Sequence, residues 1–536
     1  MCEKKPPVMT LSEGEVEALL ARARGRLESN DYQIIADMAE TIRWLDERLE
    51  EGDTSLAKLR QMLFGVKSER TEKVFPKEPG TPPKDAGESS GQGGSEGGGK
   101  RPGHGRNGAL DYAGAQRVGV PYPGLSTGCP CPDCNRGKVY QMRSGQIIRI
   151  VGRPALEATI YEPERWRCNV CGKVFTAQLP PEAGTKKYDE TAGSMLGLMK
   201  YGCGMAFNRL EGLQGSLDVP LPASTQWEIV EGGADQVSPA HDALVTEAAQ
   251  GAVLHNDDTS MTVLSLKAEN DGPGAPERKG VFTSGVVSVR EGREVALFFT
   301  GRKHAGERLE DVLRRRAAEL GAPIQMCDAL TRNLPKAFTV ILSNCLAHGR
   351  RRFVEQAGRF PDECRYVLER LAEVYRNDAL CAERGLSPEE RLAFHHAESG
   401  PVMASLRAWM EEQLAEKKVE PNSGLGQAMG YMLKRWEALT LFLRQAGAPL
   451  DNNIVERALK LAILHRKNSL FYRTENGARV GDILMSLIHT CRLNGVNPFD
   501  YLTALQKNAA SVRVAPACWL PWNYHEQLGA APPDTG

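Results

Sequence analysis

Between residues 35 and 63 apolar side chains recur at alternating steps of three and four: Ile35, Met38, Ile42, Leu45 and Leu49, then Leu56, Leu59 and Leu63. Such steps mark the a and d positions of a helix that buries one seam against a partner helix. Residues 11–75 are therefore predicted to be helical and to join two chains as a coiled coil. Gly52 breaks one d position, and Glu51-Gly52-Asp53 also suits a turn that would fold the segment into a hairpin. The pattern stops at Pro76. Residues 76–108, PKEPGTPPKDAGESSGQGGSEGGGKRPGHGRNG, read as a flexible linker that cannot bury a core. Strand-like runs, VYQMR and GQIIRIVGR, return within residues 109–180. Residues 181–245 read as amphipathic helices broken by SLDVPLPAS, with Ser224 or Thr225 as an N-cap. A helix-turn-helix and an ordinary helical connector both fit that stretch.

From residue 246 the period changes to that of strands. AVLHNDDTSMTVLSL (252–266) reads as a strand with a polar interruption, and GVVSVR (285–290) and EVALFFT (294–300) as two more joined at Glu291-Gly292. GERLEDVLRRRAAELG (306–321) has helical periodicity, APIQMCDAL (322–330) is a fourth strand ending in Asp328, and FTVILSN (338–344) is a fifth. Three antiparallel strands, a helix, then strands alternating with helices is the order of an RNase H-like α/β core. Residues 246–350 supply its first part, 351–446 a helical insertion, 447–510 its C-terminal helices and 511–536 a tail. The predicted fold class is multidomain α+β.

Composition adds limits. The 536 residues exceed what one core holds, and 41% hydrophobic with 25% charged residues is an ordinary soluble balance. No uninterrupted apolar run reaches the roughly eighteen residues of a membrane span. The start, MCEKKPPVMTLSEGEV, lacks the apolar core of a signal peptide, so a cytoplasmic location is expected. Net charge is −1, yet basic residues cluster at 100–106, 313–316 and 348–353. Such patches suit phosphate, or are solvated helix faces.

Five of the thirteen cysteines gather as C-P-C-P-D-C (129–134) and C-N-V-C (168–171). Two knuckles of this kind supply four thiolates in tetrahedral geometry, a structural zinc ribbon with Cys131, Cys134, Cys168 and Cys171 as preferred ligands and Cys129 spare. Four thiolates leave no open position for catalysis. Cys345 and His348 have the spacing of half a further site, and without a second pair they are assigned to helix packing or a DNA-facing role.

Three acidic positions fall where an RNase H-like core would gather them: Asp257 or its neighbour Asp258 on the first strand, Asp328 at the end of the fourth, and Glu456 on the last long helix. Phosphoryl transfer on DNA uses two Mg²⁺ ions about 4 Å apart, held by a few carboxylates. Each residue also has a plainer role. The aspartate pair also suits a strand boundary, Asp328 a helix cap, and Glu456 an i,i+4 pair with Lys460.

Several motifs in order resemble one family. D-N-N-I-V-E-R-A-L-K from Asp451, H-R-K-N-S-L-F from His465 and L-N-G-V-N-P-F-D-Y-L from Leu493 are similar to the C-terminal block of insertion sequence 66 transposases. N-C-L-A-H-G-R-R-R-F (344–353), L-R-Q-M-L-F-G-V-K-S-E-R (59–70) and the two cysteine knuckles resemble its other signatures. The resemblance implies a DNA transposase of the acidic-triad (DDE) class, with Asp257, Asp328 and Glu456 holding two catalytic Mg²⁺ ions. The family has Asp-Glu-Thr where Asp257-Asp258-Thr259 stands, which leaves Asp258 as the alternative first ligand. Arg351, Arg352, Arg466 and Lys467 are expected to contact DNA. Partners expected are transposon ends and target DNA, a second copy of the chain, and accessory proteins of the same element, with no membrane. Bound to DNA, the chain would sit on a bacterial nucleoid. A structure-selective nuclease on the same fold, and a DNA-binding protein with a decayed site, are the alternatives.

Overall fold

The computed structural model describes residues 19–20, 22–24, 31–33, 35–37, 126–130, 132, 136, 138–140, 155–167, 174–272 and 275–529. The predicted seam beyond Ile35 and the proposed zinc ligands Cys131, Cys134, Cys168 and Cys171 lie outside these residues; the described residues within 19–37 are helical. In chain order the elements are β1 (Arg165–Arg167), β2 (Val174–Thr176), α1 (Glu190–Gly197), α2 (Phe207–Ser216), α3 (Ala223–Ala249), β3 (Val253–Ser260) and α4 (Leu264–Asp271). There follow β4 (Phe282–Arg290), β5 (Arg293–Gly301), α5 (Ala305–Leu313), β6 (Ile324–Cys327), β7 (Ile341–Asn344), α6 (Leu346–Gln356) and α7 (Pro361–Glu383). The longer helices that follow are α8 (Pro388–Phe394), α9 (Gly400–Ala415), α10 (Gly424–Lys434), α11 (Asn453–Ser469), α12 (Glu475–Leu493) and α13 (Pro498–Lys507), with short helical turns at Trp436–Leu439, Ala509–Val514 and Tyr524–Gly529. No described helix is long and apolar enough to cross a membrane.

The chain divides into two compact units. In the first, which contains residues 245–260 and 282–459, a five-stranded mixed sheet has the order β5-β4-β3-β6-β7. β3 pairs antiparallel with β4 and parallel with β6, so the first and fourth strands of the sheet are neighbours. The β4–β5 hairpin turns at Glu291 and Gly292, both at positive φ (51° and 77°). Two successive positive φ values give a turn whose twist matches the strands it joins. The helices after β7 do not form a body of their own. Phe353, Leu371, Met403, Met429 and Trp436 share one apolar core with Val253 and Ile324 of the sheet.

The second unit, which contains residues 82–244, 261–281 and 460–536, is helical around α12. That helix is buried on nearly every side, through Ala478, Val480, Ile483, Leu487 and Cys491 among others. Asp189 caps α1 by accepting from the Ala192 N–H, and Ser194 on α1 accepts from Thr503 and Gln506 of α13. β1 and β2 pair antiparallel.

Three local readings differ from the sequence expectation. The predicted strand 252–266 stops at Ser260, and α4 begins at Leu264. Ser224 and Thr225 are not caps, because α3 already starts at Ala223. The predicted helix 306–321 ends at Leu313. Beyond it Arg316 turns back to donate to the carbonyls of Ala249 and Gly251 at 2.7 and 2.8 Å, satisfying oxygens left open at the end of α3.

Candidate active site

Successive residues of β3 point to opposite faces of the sheet. Asn256 and Asp258 share one face. There the Asp258 carboxylate, 2% exposed, meets His304 Nδ1 at 2.9 Å and Arg332 at 3.4 Å. The Asn256 amide donates to the Asn333 carbonyl at 2.8 Å and accepts from Gln325 at 2.8 Å. Asn333 in turn donates to the Asp328 carboxylate. A buried chain of amides thus ties β3, β6 and the turn after β6 together.

His255 and Asp257 share the other face. His255 Nδ1 lies 3.1 Å from Asn452 Oδ1, and Asn452 Nδ2 donates to the Asn256 carbonyl at 3.2 Å. An amide oxygen only accepts, so His255 carries its proton on Nδ1. Burial pushes its pKa down to about 4, which keeps the ring neutral. Asn452 immediately precedes α11, and its two bonds fix where that helix begins. The preceding Asp451 accepts from the Asn453 N–H at 3.1 Å, as expected of a cap. Along α11, Val455 and Leu459 close on Gly285, the β4 residue paired with Asp257. A Cβ at Gly285 would stand 3.1 Å from both side chains, so the missing side chain lets the helix cross at this level.

The register then sets the carboxylates. β3 and β6 run parallel with His255 opposite Met326, so Asp257 stands two residues further along β3 and Asp328 just past the end of β6 at Cys327. Glu456 lies between Val455 and Leu459 on the helix that crosses beside Asp257. Burial raises the Asp257 pKa to about 7, with the charge of Asp328 next and those of Asp258 and Glu456 adding. Glu456 lies 3.9 Å from His348 Nδ1, a buried nitrogen without a hydrogen bond. Cys345 Sγ, His348 and Glu456 offer ligand atoms within 4.8 Å of one another, a cluster the sequence reading had left as a half-site. Cys345 is fully buried, its thiol is pushed up to about 11, and it accepts from the Asn452 N–H at 3.3 Å. It is therefore a thiol at neutral pH and packs the site.

The charges of Asp328 and Glu456 both act on Asp257, and an orphaned imidazole nitrogen faces Glu456, while among the described residues only Cys345, His348 and Glu456 bring ligand atoms within 4.8 Å of one another. Asp257, Asp328 and Glu456 offer oxygen donors of the kind a hard divalent cation takes. Oxygen donors of this kind suit Mg²⁺.

Of the expected DNA-contacting residues, Arg351 and Arg352 are exposed on α6, and the Arg352 guanidinium lies 4.0 Å from the Tyr431 ring centroid. Arg466 and Lys467 stand on the last turn of α11, in the second unit. His304, Arg332 and Asn333 are not singled out from sequence, and Asn452 only as a candidate cap of α11. They are isolated polar residues at element ends and in the short 3-10 turn Thr331–Asn333, and only the fold shows what they hold.

The family model described as Transposase IS66 family matches residues 188–480, more than half of the chain and all three carboxylates. The chain belongs to the IS66 family of transposases. It is also similar to the uncharacterized proteins y4jD, y4hP and y4qI of Sinorhizobium fredii (strain NBRC 101917 / NGR234). The first is 33% identical over 196 residues, covering 35% of this chain and 37% of the relative. For the others the figures are 33% over 208 residues (36% and 37%) and 32% over 189 residues (35% and 34%). The chain thus spans about a third of the length of the curated relatives it matches.

Proposed function

We propose that this IS66-family chain is a DNA transposase that binds transposon ends and cuts and joins strands through Asp257, Asp328 and Glu456 in an RNase H-like core. The observation that carries the reading is the parallel pairing of β3 with β6, which puts Asp257 on one strand and Asp328 just past the end of its neighbour, with Glu456 on the helix crossing at Gly285. The strand order, with three antiparallel strands and two parallel ones added beside the first, supports the fold assignment. Asp257, Asp328 and Glu456 would hold two Mg²⁺ ions, which supply activation of the attacking water or 3′-hydroxyl and stabilisation of the leaving oxygen. The protein's own part is positioning. The amide chain through Asn256, Gln325 and Asn333 fixes Asp328, Asn452 fixes the start of α11 and so Glu456, and His304 with Arg332 holds Asp258 on the far face.

The finer parts follow the same reading. Arg351, Arg352, Arg466 and Lys467 contact the DNA backbone. The helical N-terminal segment pairs two copies, which suits an enzyme that must hold two ends, and accessory proteins of the element complete the assembly. The antiparallel pairing of β1 and β2, which flank Cys168 and Cys171 in sequence, supports a zinc ribbon with Cys131 and Cys134. The reaction is expected on cytoplasmic, nucleoid-borne DNA.

Purified chain incubated with Mg²⁺, a labelled transposon end and target DNA should give joined product. Asp257→Asn, Asp328→Asn and Glu456→Gln should each remove joining while end binding persists. Joining by any of the three would overturn the triad. Cutting without joining would make the chain a nuclease.

A further inference from the structure

The second unit holds a cavity of about 1080 Å³ that the triad chemistry does not use. Ordinary ligand pockets run to about 1,000 Å³, so a nucleotide fits with solvent to spare. Its wall contains three polar groups that the protein itself leaves underused. His465, 2% exposed, is stacked between the rings of Tyr201 (centroids 5.9 Å) and Tyr472 (4.2 Å). Neither of its ring nitrogens has a hydrogen bond, and neither has the buried Tyr472 hydroxyl. Burial lowers the His465 pKa to about 3, so the ring is neutral and offers one donor and one acceptor. Lys200, 5% exposed, donates to Ser469 Oγ at 2.7 Å. Burial alone lowers its pKa, to about 8, and no carboxylate compensates.

A buried cation held by one hydroxyl and the face of Phe207 (4.8 Å to the centroid), with no anion beside it, leaves a site open to an anion. A neutral imidazole beside a free phenol leaves one open to a donor–acceptor edge. The rim is apolar and aromatic: Trp227 lines it, and Leu470 (65% exposed) and Phe471 (41% exposed) stand on it. Leu470 is held at φ 68°, a conformation uncommon for a side chain of its size, so this turn is set by its surroundings. A planar face, a hydrogen-bonding edge and a phosphate together make a nucleotide.

We propose that this cavity receives one unstacked nucleotide of a DNA strand. Trp227 and Phe471 offer faces to the base, His465 and the Tyr472 hydroxyl read its edge, and Lys200 with Arg473 at the mouth takes the phosphate. The inference rests on the reading of the chain as a DNA-acting enzyme. Enzymes that act on a base take it out of the stack, and proteins that bind single strands hold bases on aromatic rings.

The test uses the full chain with three probes: a blunt duplex, the same duplex with a short single-stranded 3′ overhang carrying 5-iododeoxyuridine, and thymidine monophosphate. Irradiation should crosslink the overhang to peptides containing Trp227 or residues 470–473. Phe471→Ala should weaken overhang binding about tenfold, the scale of one base–aromatic stack, and leave blunt-duplex binding unchanged. Because Phe471 is exposed, truncating it leaves the core intact. Lys200→Met, which keeps the buried stem, should weaken the overhang in the same way. Crosslinks confined to other peptides, or equal losses on both duplexes, would overturn the proposal. So would competition by thymidine monophosphate at the oligonucleotide's own concentration, which would assign the cavity to free nucleotides. If the chain cuts and joins blunt ends while wild type and Phe471→Ala bind the overhang alike, this inference falls and the transposase reading stands. If the chain binds no DNA, both fall.

Discussion

Asp257 and Asp258 are neighbours in the chain with different surroundings. Asp258 is held by His304 and Arg332, whereas Asp257 faces Asp328 and Glu456. Asp257→Asn should therefore remove strand joining about a thousandfold or more, the scale of losing a preorganised electrostatic group. Asp258→Asn should instead act on stability, costing about 1–3 kcal/mol in urea unfolding as the buried, charge-assisted contacts to His304 and Arg332 are lost. A pH series separates the two further. Asp257 is raised from 3.8 to about 7, so the folded chain binds a proton there that the unfolded chain has released. In EDTA the stability should fall as pH rises from about 4 to about 7 and level off above, and Asp257→Asn should flatten that slope. Mg²⁺ added above pH 7 should recover the lost stability; no recovery would count against a cation at this site. The chain's residue order names the aspartate pair but not the member that matters. Strand alternation sends the two to opposite faces, and which face receives α11 depends on Gly285 and Asn452, remote in sequence and silent in composition.

At the scale of elements, the strand order was legible because each strand is a short apolar run bounded by turn residues. The hairpin turn at Glu291-Gly292 was legible for the same reason. Its φ values of 51° and 77° are those that asparagine followed by glycine adopts most readily. Glu291→Asn should raise stability by about 0.5 kcal/mol in thermal unfolding and leave joining unchanged. The exposed Arg290–Glu291 pair it removes, at 3.5 Å, is worth little. Element ends were less legible because partners elsewhere decide them, as Arg316 does when it leaves the helical pattern for the carbonyls of Ala249 and Gly251. The close crossing of α11 over β4 was not legible at all, since nothing marks Gly285 as different from any other strand glycine. Gly285→Ala should shift Val455 and Leu459 outward, cost about 1–3 kcal/mol and lower joining about tenfold by displacing Glu456. Adding Leu459→Ala should restore part of the joining. No effect of Gly285→Ala on joining would mean that the helix has slack at this level.

At the scale of the molecule, residues 351–446 read as an insertion because helical sequence interrupts an α/β order. In space, Val253 of β3 and Ile324 of β6 belong to the same apolar core as Leu371, Met403 and Trp436. Without those helices the apolar side chains of Val253 and Ile324 would lose the core that covers them. The helices therefore do structural work for the strands that carry Asp257 and Asp328, and the two should unfold together. Leu371 is fully buried in that core, so Leu371→Ala should cost about 2–5 kcal/mol. In native-state hydrogen exchange the amides of 253–255 and 324–327 should lose protection in step with those of α7, because a cooperative unit opens as one. Protection kept in the two strands while α7 exchanges freely would show that the helices fold as an independent body. That outcome would restore the plain insertion that the sequence order suggests. Parallel loss would mean that the acidic site depends on packing from helices more than a hundred residues after its first aspartate.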